Sequence, residues 1–291
     1  MKDYNRKYRI LEVVALVLFI IYMLPFALVI INSAKPTLEI ITDPIKFPDK
    51  PSQLFANIVR IWQNPNIHYP ASFLTSVTVT VFSVSLLVLF SSMAAWVLVR
   101  TKTLVSNVIF MVFVAAMVIP FQVVMFPLLS WFSVIENALG LTRTPFRLLQ
   151  NFPGIILAYI GFGSSLSVFL FHGFIKSVPL ELEEASVIDG CTKPATFFRI
   201  VFPMLTPITV TIIILNGIWI WNDFLLPLLV LGSGGRVQTL PLAVSSFVGS
   251  FLRRWDLILT STLMAMLPII IVFLILQKYI IKGIVDGAVK G

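Results

Sequence analysis

The residues with the most informative spacing in this 291-residue sequence lie in one short segment, 178–207. A proline opens the segment and three glutamates follow it: Pro179, Glu181, Glu183 and Glu184. Proline suits the first turn of a helix, and carboxylates are stabilised at the positive amino end of a helix. Gly190 then provides a helix stop and permits a tight turn. The segment predicts a short acidic helix whose Glu184 carboxylate can pair with a cationic group on another protein.

A second short helix is expected after Gly190. It should begin near Thr192 and Pro194 and end at Pro203. Its apolar side chains are Phe197, Phe198, Ile200 and Val201, and those of the first helix are Leu182, Ala185 and Ile188. Acidic and apolar surface together is typical of a protein-binding segment. The alternative is a helix pair that lies on lipid, but such helices are usually basic on their polar face.

A carboxylate and an amide, Asp223 and Asn222, lie within an apolar stretch, where such groups are costly and usually functional. Counted from Pro207 at about 1.5 Å per residue, Asp223 lies roughly 24 Å along a helix, within reach of water. The two side chains can orient hydroxyl groups or hold neighbouring helices together. Trp219 and Trp221 can stack on a ligand ring or anchor the helix at the membrane surface, and both interpretations stay open.

Gln122 lies between Pro120 and Pro127 in another apolar stretch. Proline bends a membrane helix and leaves space between helices. We therefore group Gln122 with Trp221, Asn222 and Asp223 as candidate residues of a pathway through the membrane. Ordinary helix irregularity is the alternative.

The composition indicates the environment in which these residues work. Hydrophobic residues make up 58% of the chain and charged residues only 12%. In lipid every backbone amide must be bonded within its own segment, so long apolar stretches should be helices of about 20 residues. Six stretches qualify: 10–32, 71–98, 104–130, 154–175, 206–231 and 257–280. The sequence predicts an all-α membrane protein that forms one domain over residues 1–291, with an extended outer loop at 33–70.

Charge distribution predicts the orientation. Four basic residues precede the first apolar stretch: Lys2, Arg6, Lys7 and Arg9. That stretch is too long for a cleaved signal peptide, so we interpret it as a retained span. With both termini in the cytoplasm, twelve of the 21 lysines and arginines lie on the cytoplasmic side, as the positive-inside rule favours. The net charge of +8 is scattered between apolar stretches, which argues against nucleic acid as a partner.

Several other functions lack support in the sequence. One cysteine, Cys191, and two histidines, His68 and His172, are too few for a cysteine- or histidine-rich metal site. His172 suits helix packing. The sequence contains no Gly-x-x-x-x-Gly-Lys-Ser/Thr motif, so any ATP must be handled elsewhere. An ion-coupled secondary transporter would have internal repeats and several buried ionisable residues, and neither is apparent in the sequence. An enzyme would have a catalytic cluster of residues, and none appears at a useful spacing.

The segment 178–207 resembles the EAA motif of ATP-binding-cassette (ABC) importer permeases. The residues that match the motif are Glu184, Ala185 and Ser186, then Asp189 and Gly190, then Ile200 and Pro203. Ser186 and Cys191 stand where alanine is usual, and both are small. The resemblance implies a type I ABC importer permease fold of six transmembrane helices. It also implies a coupling helix that docks in a cleft of a cytoplasmic ATPase.

Two further stretches are similar to carbohydrate permeases, in particular to the smaller six-helix subunit of maltose-type importers. They are Trp221–Leu229 and the tail Gln277–Gly291. The resemblance implies that the last residues of the tail contact the ATPase dimer: Ala288, Val289, Lys290 and Gly291. A frayed cationic end is the alternative.

The same resemblance implies the rest of the assembly. Its parts would be an ATPase dimer, a second homologous permease, an extracytoplasmic solute-binding protein and a sugar or oligosaccharide cargo in a bacterial or archaeal inner membrane. Permeases for glycerol phosphates have nearly the same motifs, so that cargo is the alternative. The chain itself would be a non-catalytic subunit of the transporter.

Overall fold

The structure, a computed structural model, describes residues 2–65, 68–232, 237–250 and 254–288. All regular elements within these residues are helical, which confirms the predicted all-α class. The helices are α1 (Lys2–Ser33), α2 (Thr37–Thr42), α3 (Gln53–Trp62), α4 (Tyr69–Arg100), α5 (Leu104–Ala116), α6 (Phe121–Ala138), a 3-10 turn (Leu141–Arg143), α7 (Phe152–Ile175), α8 (Leu180–Ile188), α9 (Lys193–Thr196), a π-helical turn (Phe197–Val201), α10 (Phe202–Met204), α11 (Thr206–Asn222), α12 (Leu225–Leu231), α13 (Leu240–Ser250) and α14 (Trp255–Ala288).

Five helices in the described residues are long and apolar enough to cross a membrane. These segments are Tyr8–Ser33, Tyr69–Arg100, Phe121–Ala138, Phe152–Ile175 and Trp255–Ile275. A sixth span results if Lys193–Met204 and Thr206–Asn222, which meet at an angle of 76°, are counted as one bent helix. Hydropathy thus leads to five or six spans, and the predicted six lies at the upper end.

Two of the predicted spans are interrupted. The stretch 104–130 divides into α5 and α6 because Pro120 adopts an extended conformation, φ −61° and ψ 133°. Proline also disfavours helical geometry at the residue before it, so the helix stops instead of merely bending. The stretch 206–231 divides at Asp223, where the chain is again extended, with φ −72° and ψ 131°.

The predicted extended loop 33–70 is partly helical, since it contains α2 and α3. Residues Met1–Pro70 and Ala243–Pro268 form one compact unit. Within it the Ser33 carbonyl oxygen accepts hydrogen bonds from Asn57 Nδ2 at 3.2 Å and from Thr260 Oγ1 at 3.0 Å. Lys35 is fully buried, and its ammonium donates to Asn32 Oδ1 and the Asp43 carbonyl, both at 2.9 Å. Proline content alone did not predict these polar links, which fold the loop.

Residues Ala71–Leu242 and Ile269–Gly291 form the second compact unit. Its core is apolar and centres on α4, α7 and α11, with Leu87, Ile155, Phe171 and Ile212 fully buried. His172 stacks on Phe110 with 3.7 Å between ring centroids, which agrees with a packing role for this histidine. The contacts within the chain group its residues into these two units, and the single domain expected over residues 1–291 stays a prediction.

Candidate functional site

The first short helix of the segment 178–207 is α8. Pro179 precedes it in an extended conformation, and Glu181 and Glu183 lie in its first turn, as the helix dipole favours. Gly190 follows its end with φ +82°, a left-handed conformation that side chains with a Cβ rarely adopt. The Gly190 amide donates to the Val187 carbonyl at 3.0 Å and the Cys191 amide to the Ser186 carbonyl at 2.9 Å, a Schellman pattern.

The second short helix is irregular and longer than predicted. It consists of α9, the π-helical turn Phe197–Val201 and α10, and it continues through Pro203 to Met204. Pro203 therefore does not end it. Proline fits the first turn of a helical segment, and the π-helical turn makes Pro203 part of a new segment, α10. The direction changes afterwards, at Leu205, by the 76° that separates this segment from α11.

The glutamates of α8 differ in environment in a way that the sequence did not reveal. Glu183 is buried with 7% exposure, and the last turn of α4 binds its carboxylate. Arg100 donates to Glu183 Oε1 from Nε at 2.9 Å and from Nη2 at 2.8 Å, and Trp96 Nε1 donates to Oε2 at 2.9 Å. Arg100 Nη2 also donates to the Val178 carbonyl at 3.0 Å. We call these four groups, on Trp96, Arg100, Val178 and Glu183, the α4–α8 clamp.

Five of the seven residues that match the motif are exposed. Glu184, Ala185, Asp189, Gly190 and Pro203 are exposed, whereas Ile200 is half-buried. Apolar side chains beside them are also exposed, with Ile188 at 86%, Val187 at 59% and Phe198 at 47%. A surface that combines carboxylates with uncovered apolar side chains suits a protein partner that carries cationic groups.

Ser186 has a structural part in this segment. Its hydroxyl lies 2.8 Å from Thr196 Oγ1, with both side chains buried, so the pair joins α8 to α9. Serine at this alanine position of the motif therefore has a defined partner.

We expect a double-mutant cycle to detect this hydroxyl pair. Ser186→Ala alone leaves the buried Thr196 hydroxyl with one partner fewer, and Thr196→Val alone does the same to Ser186, so each should lower stability by about 1–3 kcal/mol. The double variant should cost less than the sum of the single variants. The measurement is thermal unfolding of the purified membrane protein, and additive single effects would contradict the pairing.

The candidate pathway residues differ in their exposure. Trp221 is buried and packs edge-on against Phe73, with 5.9 Å between ring centroids. Asn222 is exposed, and its amide donates to the Ile218 carbonyl at 2.8 Å. Gln122 is also exposed.

Asp223 connects two helices. Its Oδ1 accepts from the Leu225 amide at 3.0 Å, which caps α12, and its Oδ2 accepts from the Tyr159 hydroxyl on α7 at 3.1 Å. A carboxylate in this position stabilises the break between α11 and α12, because it binds an amide that has no helical acceptor there.

A cavity of about 310 Å³ lies beside the break between α5 and α6. Three aromatic side chains line it, Phe121, Phe162 and Trp219, together with Ser165 and Asn216. Of the three aromatic side chains, only Trp219 was considered from the sequence. Aromatic rings with an amide and a hydroxyl form a surface that suits a ligand with apolar ring faces and hydroxyl groups.

The rest of the predicted site adds little. Ala288 is the last residue of α14, whereas Val289, Lys290 and Gly291 lie outside the described residues. Within residues 2–65, 68–232, 237–250 and 254–288, no three His, Cys, Asp or Glu side chains are grouped so as to hold a metal ion.

Comparison with known proteins identifies the family. Residues 87–286 match the family described as "Binding-protein-dependent transport system inner membrane component". The chain is 37% identical over 289 residues to the "Probable starch degradation products transport system permease protein AmyC" of Thermoanaerobacterium thermosulfurigenes, with 99% of each chain covered. It is 35% identical over 288 residues to the "Melibiose/raffinose/stachyose import permease protein MelC" of Bacillus subtilis, covering 99% of this chain and 98% of that protein.

A solved structure has the same fold. One chain of a bacterial ABC transporter involved in the import of the acidic polysaccharide alginate superposes with a TM-score of 0.71 at 21% identity, covering 95% of this chain and 97% of that one. The chain belongs to the family of binding-protein-dependent transport system inner membrane components, and it is a multi-pass membrane protein of the ABC importer permease fold. The family resemblance predicted from the EAA-like segment is confirmed.

Proposed function

We propose that this chain is a transmembrane permease subunit of an ATP-driven importer for a sugar or oligosaccharide, and that it forms half of the translocation pathway. The observation that carries the proposal is the outer surface of α8, where Glu184, Val187 and Ile188 are exposed on a helix whose other side the α4–α8 clamp holds. Relatives named for starch degradation products and for melibiose, raffinose and stachyose support a carbohydrate cargo over a glycerol phosphate.

The partners in this proposal are those that the family resemblance implies. An ATPase dimer holds ATP and Mg²⁺ and docks on the segment 178–207 and on the tail 288–291. A second permease completes the pathway, and an extracytoplasmic solute-binding protein delivers the sugar. A solved relative in complex with an alginate pentasaccharide-bound periplasmic protein supports the last of these. We call the segment 178–207 the docking segment. Both termini lie on the cytoplasmic side with this segment, and this chain hydrolyses nothing itself.

The test of the assembly is affinity capture of this chain from its native membrane in mild detergent, followed by mass spectrometry and reconstitution into liposomes. We expect an ATPase and a second permease in roughly equal amounts, and ATP-dependent uptake of raffinose or maltotriose with the binding protein present. Uptake by this chain alone, without ATP, would contradict the proposal and favour a secondary transporter.

The cavity beside the α5–α6 break is the proposed sugar contact of this chain. Trp219 lines it and packs edge-on against Tyr159, with 5.5 Å between ring centroids, so its ring is held in place. Asn216 is almost fully buried and donates to Ser167 Oγ at 3.2 Å, which fixes the orientation of the amide. A fixed aromatic face next to a fixed amide can orient a pyranose ring without large loss of side-chain entropy on binding.

We expect Trp219→Ala to weaken sugar uptake through this cavity. Loss of an aromatic contact of about 0.5–1.5 kcal/mol should raise the half-saturating sugar concentration about two- to twelvefold, with ATP hydrolysis retained. Trp131→Ala is the matched control, because Trp131 is 65% exposed and does not line the cavity. Equal effects of the two substitutions would contradict a sugar contact at Trp219.

A further inference from the structure

The α4–α8 clamp connects the docking segment to a helix that is distant in sequence. Arg100 is the last residue of α4, and the Arg100–Glu183 ion pair has side-chain exposures of 21% and 9%. The pair is supported by hydrogen bonds from Trp96 to the same carboxylate and from Arg100 to the Val178 carbonyl. Removing one partner of a buried ion pair leaves an uncompensated charge and is strongly destabilising, so the clamp resists sliding between α8 and α4.

A second contact joins the second short helix of the docking segment to Trp96 of α4. The rings of Phe197 and Trp96 lie 5.2 Å apart between centroids, and Phe197 is buried. The Ser186–Thr196 hydroxyl pair ties the two short helices together. Both halves of the docking segment therefore rest on Trp96, which lies one helical turn before Arg100.

The covalent connection to α11 is irregular and bent. It passes through the π-helical turn and Leu205, where the axis bends by 76°. In contrast, α4 runs unbroken for 32 residues, which at about 1.5 Å per residue is roughly 48 Å and exceeds the thickness of the hydrocarbon core. An unbroken helix clamped at its end transmits a displacement over its whole length, whereas a bend can absorb one.

We infer that α4 receives the movement of the docking segment, and that Trp96, Arg100 and Glu183 are the positioning residues that make α8 and α4 move as one body. The inference rests on the proposed function. It assigns the transmission of ATPase motion to α4 in preference to α11, which is directly connected to the docking segment. Arg100 of α4 and Glu183 of α8 are in contact although they lie 83 positions apart in the sequence.

The chain offers a labelling site for the test, since Cys191 is its only cysteine and follows Gly190 in the docking segment. Spin labels are attached to Cys191 and to Phe82→Cys, an exposed position on α4, in the importer assembled with cysteine-free partner subunits. A second pair joins Cys191 to Leu215→Cys, an exposed position on α11. Pulsed electron paramagnetic resonance then measures both distances with and without ATP and vanadate.

We expect the distance between positions 82 and 191 to stay constant while that between 191 and 215 shifts by several ångströms. Arg100→Gln should broaden the distribution of the 82–191 distance and make this distance change when nucleotide binds. The charge swap of Arg100→Glu with Glu183→Arg should reduce that change. If the variants do not assemble, the constant distance in the unaltered clamp still decides the question.

Two results would overturn the inference. An assembled complex that hydrolyses ATP, yet changes the 82–191 distance as much as the 191–215 distance, would contradict the role of α4 and leave the proposed function standing. If no ATPase subunit is captured together with this chain, the proposed function itself is contradicted, and the inference with it.

Discussion

Replacement of Glu184 by lysine is expected to abolish sugar uptake while the chain still inserts into the membrane and the partner ATPase still hydrolyses ATP. Glu184 is exposed on α8, so its substitution costs little folding free energy. In the docked complex, however, lysine would oppose the cationic group that the carboxylate is proposed to meet. Disrupting a charge pair of this kind in an interface costs about 2–5 kcal/mol, which corresponds to a loss of more than tenfold in productive docking.

The control for this prediction is Glu181→Lys. Glu181 is also exposed and lies in the first turn of α8, so the control makes the same charge change on the same helix but outside the residues that match the motif. Uptake of labelled raffinose or maltotriose and ATP hydrolysis are measured in the same liposomes. Unchanged uptake by the Glu184→Lys complex, or equal loss by both variants, would contradict a specific docking role for Glu184.

The sequence predicted the local features of this site well. Gly190 ends α8 because the required left-handed backbone is a local property, and a glycine at that place indicates it directly. The membrane-spanning stretches were predicted for the same reason, since burial in lipid depends on the apolar character of each segment by itself. Their interruptions at Pro120 and Asp223 were not predicted. The same residue can either bend a helix or break it, and the outcome depends on which neighbouring groups bind the backbone amides that lose their helical partner.

The contacts between distant segments were not predictable in this way. Glu183 and Glu184 are adjacent and chemically equal, but only Glu183 is buried, in contact with Trp96 and Arg100 of α4. One signal was present in the sequence, since Trp96 and Arg100 lie four residues apart and place two donors on one face at the end of a span. The cavity had no such signal, because its lining comes from four separate helices.

Gly163→Val is expected to lower the stability of the protein, because α4, α7 and α11 pack closely at Gly163. A Cβ atom at Gly163 would overlap Leu87 and lie 2.9 Å from Asn216 Oδ1, so a side chain there pushes against both neighbouring helices. Overpacking of a tight core costs about 1–3 kcal/mol, which should lower the unfolding temperature by roughly 2–10 °C.

The same substitution should also affect transport, because Gly163 and Asn216 both line the cavity and displacement of the amide removes its fixed orientation. Gly161→Val is the matched control, since it makes the same change of residue on the same helix where a Cβ meets open space. Thermal unfolding and raffinose uptake of the two purified complexes are compared side by side. If both variants unfold at the same temperature, the three helices tolerate separation at this point, and the cavity is not fixed by the packing at Gly163.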